Sequence, residues 1–381
     1  MTKLGGSVLH PRDAVRPAAS GRAPVRVLIC DDSAVVRSLL SRTLSSDPGI
    51  TVAARVGNGQ QAVATVEAGG IDVVVLDIEM PVMDGLTALP LLLAADRTIK
   101  VLMSSTLTTR GAAIALEALR LGAADFVAKP SAASSLAGDH AFQTELLAKV
   151  IGLGRQVHAR RSARQSPFPA AVTTGSQTGV ILRRRPAQRP DILAIGSSTG
   201  GPAALLALFK ALGPKVGVPI VVVQHMPPAF TAQLANHINR LGGCTCAEAV
   251  HGELLRAGHI HLAPGDRHLK VVLQNGRPHA VLTDDPPESF CRPAVDPLLC
   301  SLPAVFSSRV LVAMLTGMGQ DGLGGAQQVV SAGGGIVAQD EASSVVWGMP
   351  GAVAKAGLCH AVLPLSTLAT TILDAIGMRA A

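Results

Sequence analysis

Four short apolar runs near the start of the chain each lead into residues that can carry charge or a proton. Val25-Arg26-Val27-Leu28-Ile29 leads to Asp31 and Asp32, Val73-Val74-Val75-Leu76 to Asp77, Val101-Leu102-Met103 to Ser104, and Asp125-Phe126-Val127 to Lys129. If the runs are parallel strands, their carboxyl ends share one sheet edge, where ligands of α/β folds bind. Three carboxylates, a hydroxyl and an ammonium are then expected together. Crowded carboxylates repel, and a divalent cation relieves that repulsion. Mg2+ suits such a set, because it takes one or two carboxylates plus phosphate oxygens and water. One carboxylate can then attack a phosphoryl donor, while the metal and the lysine neutralise the oxygens in transit. Singly, each acid is as well read as a helix cap. It is the joint order that points to phosphoryl transfer.

A second set lies further on. Ile192-Leu193-Ala194-Ile195 runs into Gly196-Ser197-Ser198-Thr199-Gly200-Gly201-Pro202 and then an apolar stretch. This reads as strand, sharp turn and helix start, with G-x-S-x-G centred on Ser198. Free amides and the positive dipole end of such a helix can stabilise an oxyanion. A simple Ser/Thr helix cap is the competing reading. The phosphate-loop patterns G-x-G-x-x-G and Gly-Lys-Thr/Ser are absent. A nucleophilic serine needs a base and an orienter. His225 follows the run Pro219–Val223, and Asp321 follows the run Val310–Leu315. Ser198, His225 and Asp321 can thus serve as nucleophile, base and orienter. Their chain order, Ser–His–Asp, departs from the Ser–Asp–His order of α/β-hydrolases, which disfavours that fold.

The elements that must position these residues alternate between strand-like and helix-like segments in both halves, which implies doubly wound parallel sheets. With 381 residues, two or three domains are expected at about 150 residues each. The expected divisions are an N-terminal extension over 1–24, a first α/β domain over 25–145, an Arg-rich linker over 146–190 and a second α/β domain over 191–381. The linker is read from its composition: residues 151–190 hold eight Arg and no Lys, Asp or Glu. The whole chain is +7, with 33 basic and 26 acidic residues, so the remainder sums to −1. This basicity is assigned to a tail and a linker rather than to a folded face, which argues against a nucleic-acid partner. The scarcity of aromatics, seven Phe, one Trp and no Tyr, argues likewise against base stacking. No apolar run reaches the ~18 residues of a membrane span, and the first 24 residues lack the apolar core of a secretory signal. The six cysteines show no C-x-x-C pairing and are expected to be reduced. His259 and His261 alternate as on a strand, but without a third ligand a metal site there is disfavoured.

Specific words sharpen this reading. Cys30-Asp31-Asp32-Ser33, Leu76-Asp77-Ile78-Glu79-Met80-Pro81-Val82-Met83-Asp84-Gly85, Met103-Ser104-Ser105 and Val127-Ala128-Lys129-Pro130 resemble the receiver domains of two-component response regulators, over about 25–135. The resemblance implies that Asp77 accepts the phosphoryl group, that Asp31, Asp32 and Asp77 serve Mg2+, that Ser104 senses the phosphoryl group and that Lys129 binds it. Phe126 sits where such domains carry a switch aromatic. Gly196–Gly201, Gln224-His225-Met226-Pro227-Pro228, Leu262–Leu269, Cys291-Arg292-Pro293-Ala294-Val295-Asp296, Thr316–Gly322 and Gly348-Met349-Pro350-Gly351 resemble the catalytic domain of the chemotaxis protein-glutamate methylesterases, the CheB family, over about 191–375. Ser197 stands where that family frequently has Ala.

The resemblance implies a (βα)5 receiver joined to a mostly parallel, Rossmann-like α/β hydrolase domain. It implies an oxyanion hole from the Met318 amide and an amide near Thr199. It also implies a cytoplasmic, monomeric enzyme that hydrolyses glutamate methyl esters on chemoreceptors, deamidates receptor glutamines and takes phosphate from a chemotaxis histidine kinase. Rival readings are the same chemistry on a non-chemotaxis receptor array, a catalytically silent phospho-signalling adaptor and a DNA-binding regulator. Intact Ser198, His225 and Asp321 oppose the adaptor, and the lack of a helix-turn-helix-like tail opposes the last.

Overall fold

The structure, a computed structural model, describes residues 23–106, 108–129, 140–165, 180–214 and 216–377. The N-terminal half runs β1 (Val25–Cys30), α1 (Ala34–Leu44), β2 (Ile50–Val56), α2 (Gly59–Glu67), β3 (Val73–Asp77), α3 (Gly85–Ala95), β4 (Lys100–Ser105), α4 (Thr109–Arg120), β5 (Asp125–Ala128) and α5 (His140–Gln165). The strands form one sheet in the order β2-β1-β3-β4-β5, all parallel. The unbroken apolar run of β3 is buried on both faces, as a central parallel strand must be. The register sets Asp77 beside Ser104. Ser33, Asn58, Asp84 and Thr108 each cap the next helix through a side-chain oxygen, satisfying amides that the first turn leaves free. Gly85 is required by a close approach: a Cβ there would lie 2.1 Å from the Asp77 carbonyl oxygen.

The C-terminal half runs β6 (Ile192–Ser197), α6 (Gly201–Leu212), β7 (Ile220–Gln224), α7 (Pro228–Asn239), β8 (Thr245–Glu248), β9 (His259–Leu262), β10 (His268–Gln274), β11 (Arg277–Thr283), α8 (Val295–Phe306), β12 (Val310–Met314), α9 (Leu323–Ser331), β13 (Gly335–Gln339), α10 (Met349–Lys355), β14 (Ala361–Leu363) and α11 (Leu365–Ile376). Seven strands make one sheet in the order β14-β13-β12-β6-β7-β9-β8, and β10-β11 form a separate pair. Every pairing in the large sheet is parallel, and the small pair is antiparallel. The chain winds outward from β6 on one side, returns, and continues from β12 on the other. The loops after β6 and β12 therefore diverge and leave a crevice at the switch point. Helix α7 starts directly after Pro227, because Pro at the first helical position presets the backbone.

One boundary needs correction. The linker expected over 146–190 does not begin at 146, since α5 continues through Gln165. Phe142, Leu146, Val150 and Leu153 are buried in the core of the first sheet with β1, β3 and β4, and Val157 is buried one turn further on. Their spacing of four, four, three and four residues is a helical stripe, and Arg at the end of the helix does not oppose it, being a good helix former. Part of the Arg-rich stretch is also ordered against the two domains, although Arg155, Arg183, Arg184, Arg185 and Arg189 stay exposed to solvent. Arg161 pairs with Asp72 at 2.5 Å and Asp96 at 2.9 Å. Residues 180–190 lie along the second domain, where the Arg183 amide donates to the Cys359 carbonyl and Arg185 Nη2 to the Asp374 carbonyl. The extension expected over 1–24 falls almost wholly outside the described residues, as does the linker segment 166–179.

The two domains pack directly. Helix α4 lies against α6 and α7, and Phe126 stacks on Phe230 with ring centroids 4.4 Å apart and planes 7° from parallel. Gln156 Nε2 donates to the Ser344 carbonyl, and the Val345 side chain meets the apolar cluster of α5. If α5 is part of the first domain, Leu146→Ala removes a fully buried side chain and lowers stability by about 2–5 kcal/mol. Urea unfolding of the full chain reads this as a lower midpoint, whereas an unchanged midpoint refutes the docking of α5.

Candidate functional site

In the first domain the sheet edge gathers what the sequence placed there. Lys129 Nζ lies 2.9 Å from Asp31 Oδ2 and 2.7 Å from Asp77 Oδ2. Neither oxygen receives a well-directed hydrogen bond, so the lysine neutralises them without saturating them. One carboxylate oxygen each from Asp31, Asp32 and Asp77 come within 4.8 Å of one another. Two buried acceptors with unused lone pairs beside a third, exposed carboxylate suit a hard, oxygen-seeking divalent cation. Burial raises the Asp77 carboxyl above its ordinary range, against the opposing pull of Lys129. Burial would lower the lysine, but Asp77 and Asp31 raise it. Ser104 is buried beside Asp77 on β4. Phe126, three residues before Lys129 on β5, faces the other domain and stacks on α7.

In the second domain β6, β7 and β12 deliver one residue each to the crevice. The register sets Ser197 beside Gln224. Ser197 Oγ donates to Gln224 Oε1 at 2.7 Å, and Gln224 Nε2 donates to the carbonyls of Ser198 (2.9 Å) and His225 (3.2 Å). One buried amide thus ties the nucleophile turn to the histidine turn. Any Cβ at position 201 would stand 1.9 Å from Gln224 Oε1, which is why that position is Gly. Gly200 takes φ of 74° to make the turn, a conformation natural to glycine.

His225 Nε2 lies 2.7 Å from Asp321 Oδ2. Asp321 in turn accepts the amides of Val295 (2.6 Å) and Asp296 (3.0 Å) at the start of α8, where free amides and the dipole favour an anion. Burial alone would raise the Asp321 carboxyl, yet the bond from His225 and those amides hold it below the usual range. Burial would lower His225, but Asp321 and then Cys291 prevail and push it up to about 9. Ser198 Oγ has no hydrogen bond among the described residues. Such bonds commonly tighten only when substrate is bound. The amides of Met318 and Thr199 find no acceptor among the described residues either, so both remain available to an oxyanion. Thr316 Oγ1 supports this wall by donating to the Thr199 carbonyl at 2.9 Å, and Gln339 Oε1 accepts the Thr316 amide at 2.9 Å.

Several groups here carried no sequence signal of their role. Gln224 and Thr316 stood inside quoted words but had no assigned part. Asp125 and Cys291 reach the site only through the fold: Asp125 Oδ2 accepts the Gly200 amide at 3.0 Å, and Cys291 Sγ lies 3.3 Å from His225 Nδ1. His259 and His261 are neighbours, as their alternation implied, but each is engaged locally, by Thr245 and by Glu253 with the Arg256 amide. The arrangement can perform hydroxyl-based acyl transfer at one crevice and phosphoryl capture at the other.

Comparison with known proteins follows these two units. Residues 193–372 match the family model described as CheB methylesterase, and residues 27–139 match the response regulator receiver domain. A protein-glutamate methylesterase/protein-glutamine glutaminase of a group 2 operon in Rhodospirillum centenum is 50% identical over 97% of this chain and 98% of its own. One from Azospirillum brasilense is 50% identical over 94% of each. The catalytic domain of Thermotoga maritima CheB methylesterase superposes with a TM-score of 0.48 at 38% identity, over 49% of this chain and 99% of that one.

Because the imidazole accepts a proton only when neutral, a raised value means that the base is lost as pH falls below it. Labelling of Ser198 by a fluorophosphonate therefore rises with pH and is half-maximal at about 9. A midpoint at the ordinary histidine value of 6.5 refutes this electrostatic picture.

Proposed function

The chain belongs to the CheB methylesterase family, with a receiver domain ahead of its catalytic domain, and from that premise we propose that it is a phosphorylation-controlled protein-glutamate methylesterase and protein-glutamine glutaminase. Its substrates are γ-glutamyl methyl esters, and glutamine side chains, on the cytoplasmic helices of chemoreceptors. The single observation that carries the reading is the convergence of Ser198, the His225–Asp321 pair and two unengaged amides at the switch point of one sheet.

Ser198 Oγ attacks the ester carbonyl carbon and gives its proton to His225. Since Nε2 is committed to Asp321, the accepting nitrogen is Nδ1. The oxyanion takes the amides of Met318 and Thr199. The imidazolium returns its proton to the departing methoxide, and methanol leaves. Water, deprotonated by His225, then attacks the acyl-enzyme, breaks the bond to Ser198 and releases the free glutamate. With a glutamine side chain, ammonia departs in place of methanol. Asp321 keeps the ring oriented and stabilises its charged form without itself taking the proton.

Control runs through β5. A cytoplasmic chemotaxis histidine kinase supplies the phosphoryl group to Asp77. Asp31, Asp32 and Asp77 would hold Mg2+, which would neutralise charge on the transferring group. Lys129 now pairs with Asp77, and Phe126 and Asp125 on the same strand contact α7 and the nucleophile turn. Phosphorylation competes for Lys129, weakens this packing and shifts the population toward an open crevice.

Methanol release from methylated receptor, with and without a small phosphodonor, tests both halves. Ser198→Ala reduces the rate by roughly a thousandfold or more, and Asp77→Ala removes the response to the donor. Full activity in the first, or a retained response in the second, refutes the corresponding half. Phe126→Ala deletes a stacked pair worth about 0.5–1.5 kcal/mol. It raises the unphosphorylated rate by about two- to tenfold, and an unchanged basal rate counts against Phe126 as a link in the lock.

A further inference from the structure

His225 has two ring nitrogens, and the reaction needs one of them. Nε2 is held by Asp321 at 2.7 Å, so the proton of Ser198 must travel to Nδ1. That atom lies 3.3 Å from Cys291 Sγ, while Ser198 Oγ has no hydrogen bond among the described residues. The sulfur therefore stands where the nucleophile has to dock. It can keep this contact in either state of the ring. A neutral ring accepts the thiol S–H, and an imidazolium donates Nδ1–H to the sulfur. Thiols are weak partners, so a hydroxyl can displace the contact without a large cost.

The loop that presents this thiol is well anchored. Glu288 and Cys291 exchange two backbone hydrogen bonds, at 3.1 and 2.8 Å. Arg292 Nη2 grips Asp266 Oδ1 at 2.6 Å, and the Asp266 amide donates to the Arg292 carbonyl at 3.0 Å. Cys291 is half-buried, unlike Cys30, Cys244, Cys246 and Cys359, which are buried.

We propose that Cys291 is a positioning residue of the active site, whose thiol occupies Nδ1 of His225 in competition with Ser198 and so sets how readily the base is released to the nucleophile. This rests on the reading of Ser198, His225 and Asp321 given above. The titratable groups acting on the ring are Asp321, from the loop after β12, and Cys291, from the loop before α8. Asp296 on α8 stands behind Asp321 and accepts the Gly325 amide at 2.6 Å. Both Asp321 and Cys291 favour the charged ring, against burial. Removing the sulfur therefore makes the neutral base available at lower pH.

The test is the rate of fluorophosphonate labelling of the full chain as a function of pH, for wild type, Cys291→Ala and Cys291→Ser. In Cys291→Ala the acidic limb moves down by about half a pH unit, and labelling at neutral pH accelerates about threefold. Cys291→Ser keeps a polar partner at Nδ1 and stays near the wild-type limb. A wild-type limb in Cys291→Ala overturns the proposal, as does an equal shift in Ala and Ser, which would mark a packing effect. A second readout uses the unmutated fold. S-methylthiolation of the wild type by methyl methanethiosulfonate shifts the Nδ1 resonance of His225, and an unmoved resonance also overturns the proposal. Ser198→Ala, run alongside, separates the two ideas. Continued labelling of that variant sinks the serine reading, whereas its loss combined with an unmoved limb in Cys291→Ala sinks the thiol alone.

Discussion

A buried carboxylate in the loop after β12 is the interaction on which the catalytic half depends. Asp321 is almost wholly removed from water, and an uncompensated charge there would be prohibitive. It is compensated by fixed donors: two amides at the start of α8 and the imidazole of His225. The amides and the imidazole come from different segments of the chain, so satisfying one charge brings α8, the turn after β7 and the loop after β12 to one place. The opposite wall is set in the same way. Gln224 spends both ends of its amide on the turns that carry Ser198 and His225, and Thr316 braces the turn behind Thr199. These polar side chains have no chemical step of their own, but each satisfies backbone groups that would otherwise be buried unpaired.

A second buried carboxylate does the corresponding work between the domains. Asp125 lies at the first position of β5, with Lys149 of α5 at 3.4 Å, the Phe126 amide at 2.9 Å and the Gly200 amide at 3.0 Å. Burial raises both its own pKa and, through the loss of solvent, the cost of leaving it unpaired. The last of its three partners belongs to the nucleophile turn of the other domain. Strand β5 and the turn that carries Ser198 therefore share one charge, and neither can shift without disturbing the other. The Phe126–Phe230 stack adds an apolar contact to the same seam.

The positive charge of the chain takes on a different meaning once folded. Composition alone assigned the Arg-rich stretch to a solvated connection. Most Arg side chains described there do stay exposed, but Arg161 is drawn in to answer Asp72 and Asp96, and Arg185 reaches a carbonyl of α11. The reason is visible in the side chains between them. Leu146, Val150, Leu153 and Val157 carry a buried helical apolar stripe into the Arg-rich region, and composition counts are blind to periodicity.

By itself the sequence determined which residues could do chemistry and their rough placement. Apolar runs closed by Asp31, Asp77, Ser104 and Lys129, and by Ser198, His225 and Asp321, were legible because parallel strands bring their carboxyl ends to one edge whatever joins them. The parallel sense of the strands around each site followed from the same alternation. What only the tertiary structure decided was which groups complete each site. Cys291 meets His225 across 66 residues, and Asp125 meets Gly200 across 75 and a domain boundary. No periodicity or spacing encodes such pairs. They arise because each buried polar atom must find a partner among whatever the packed elements bring within reach.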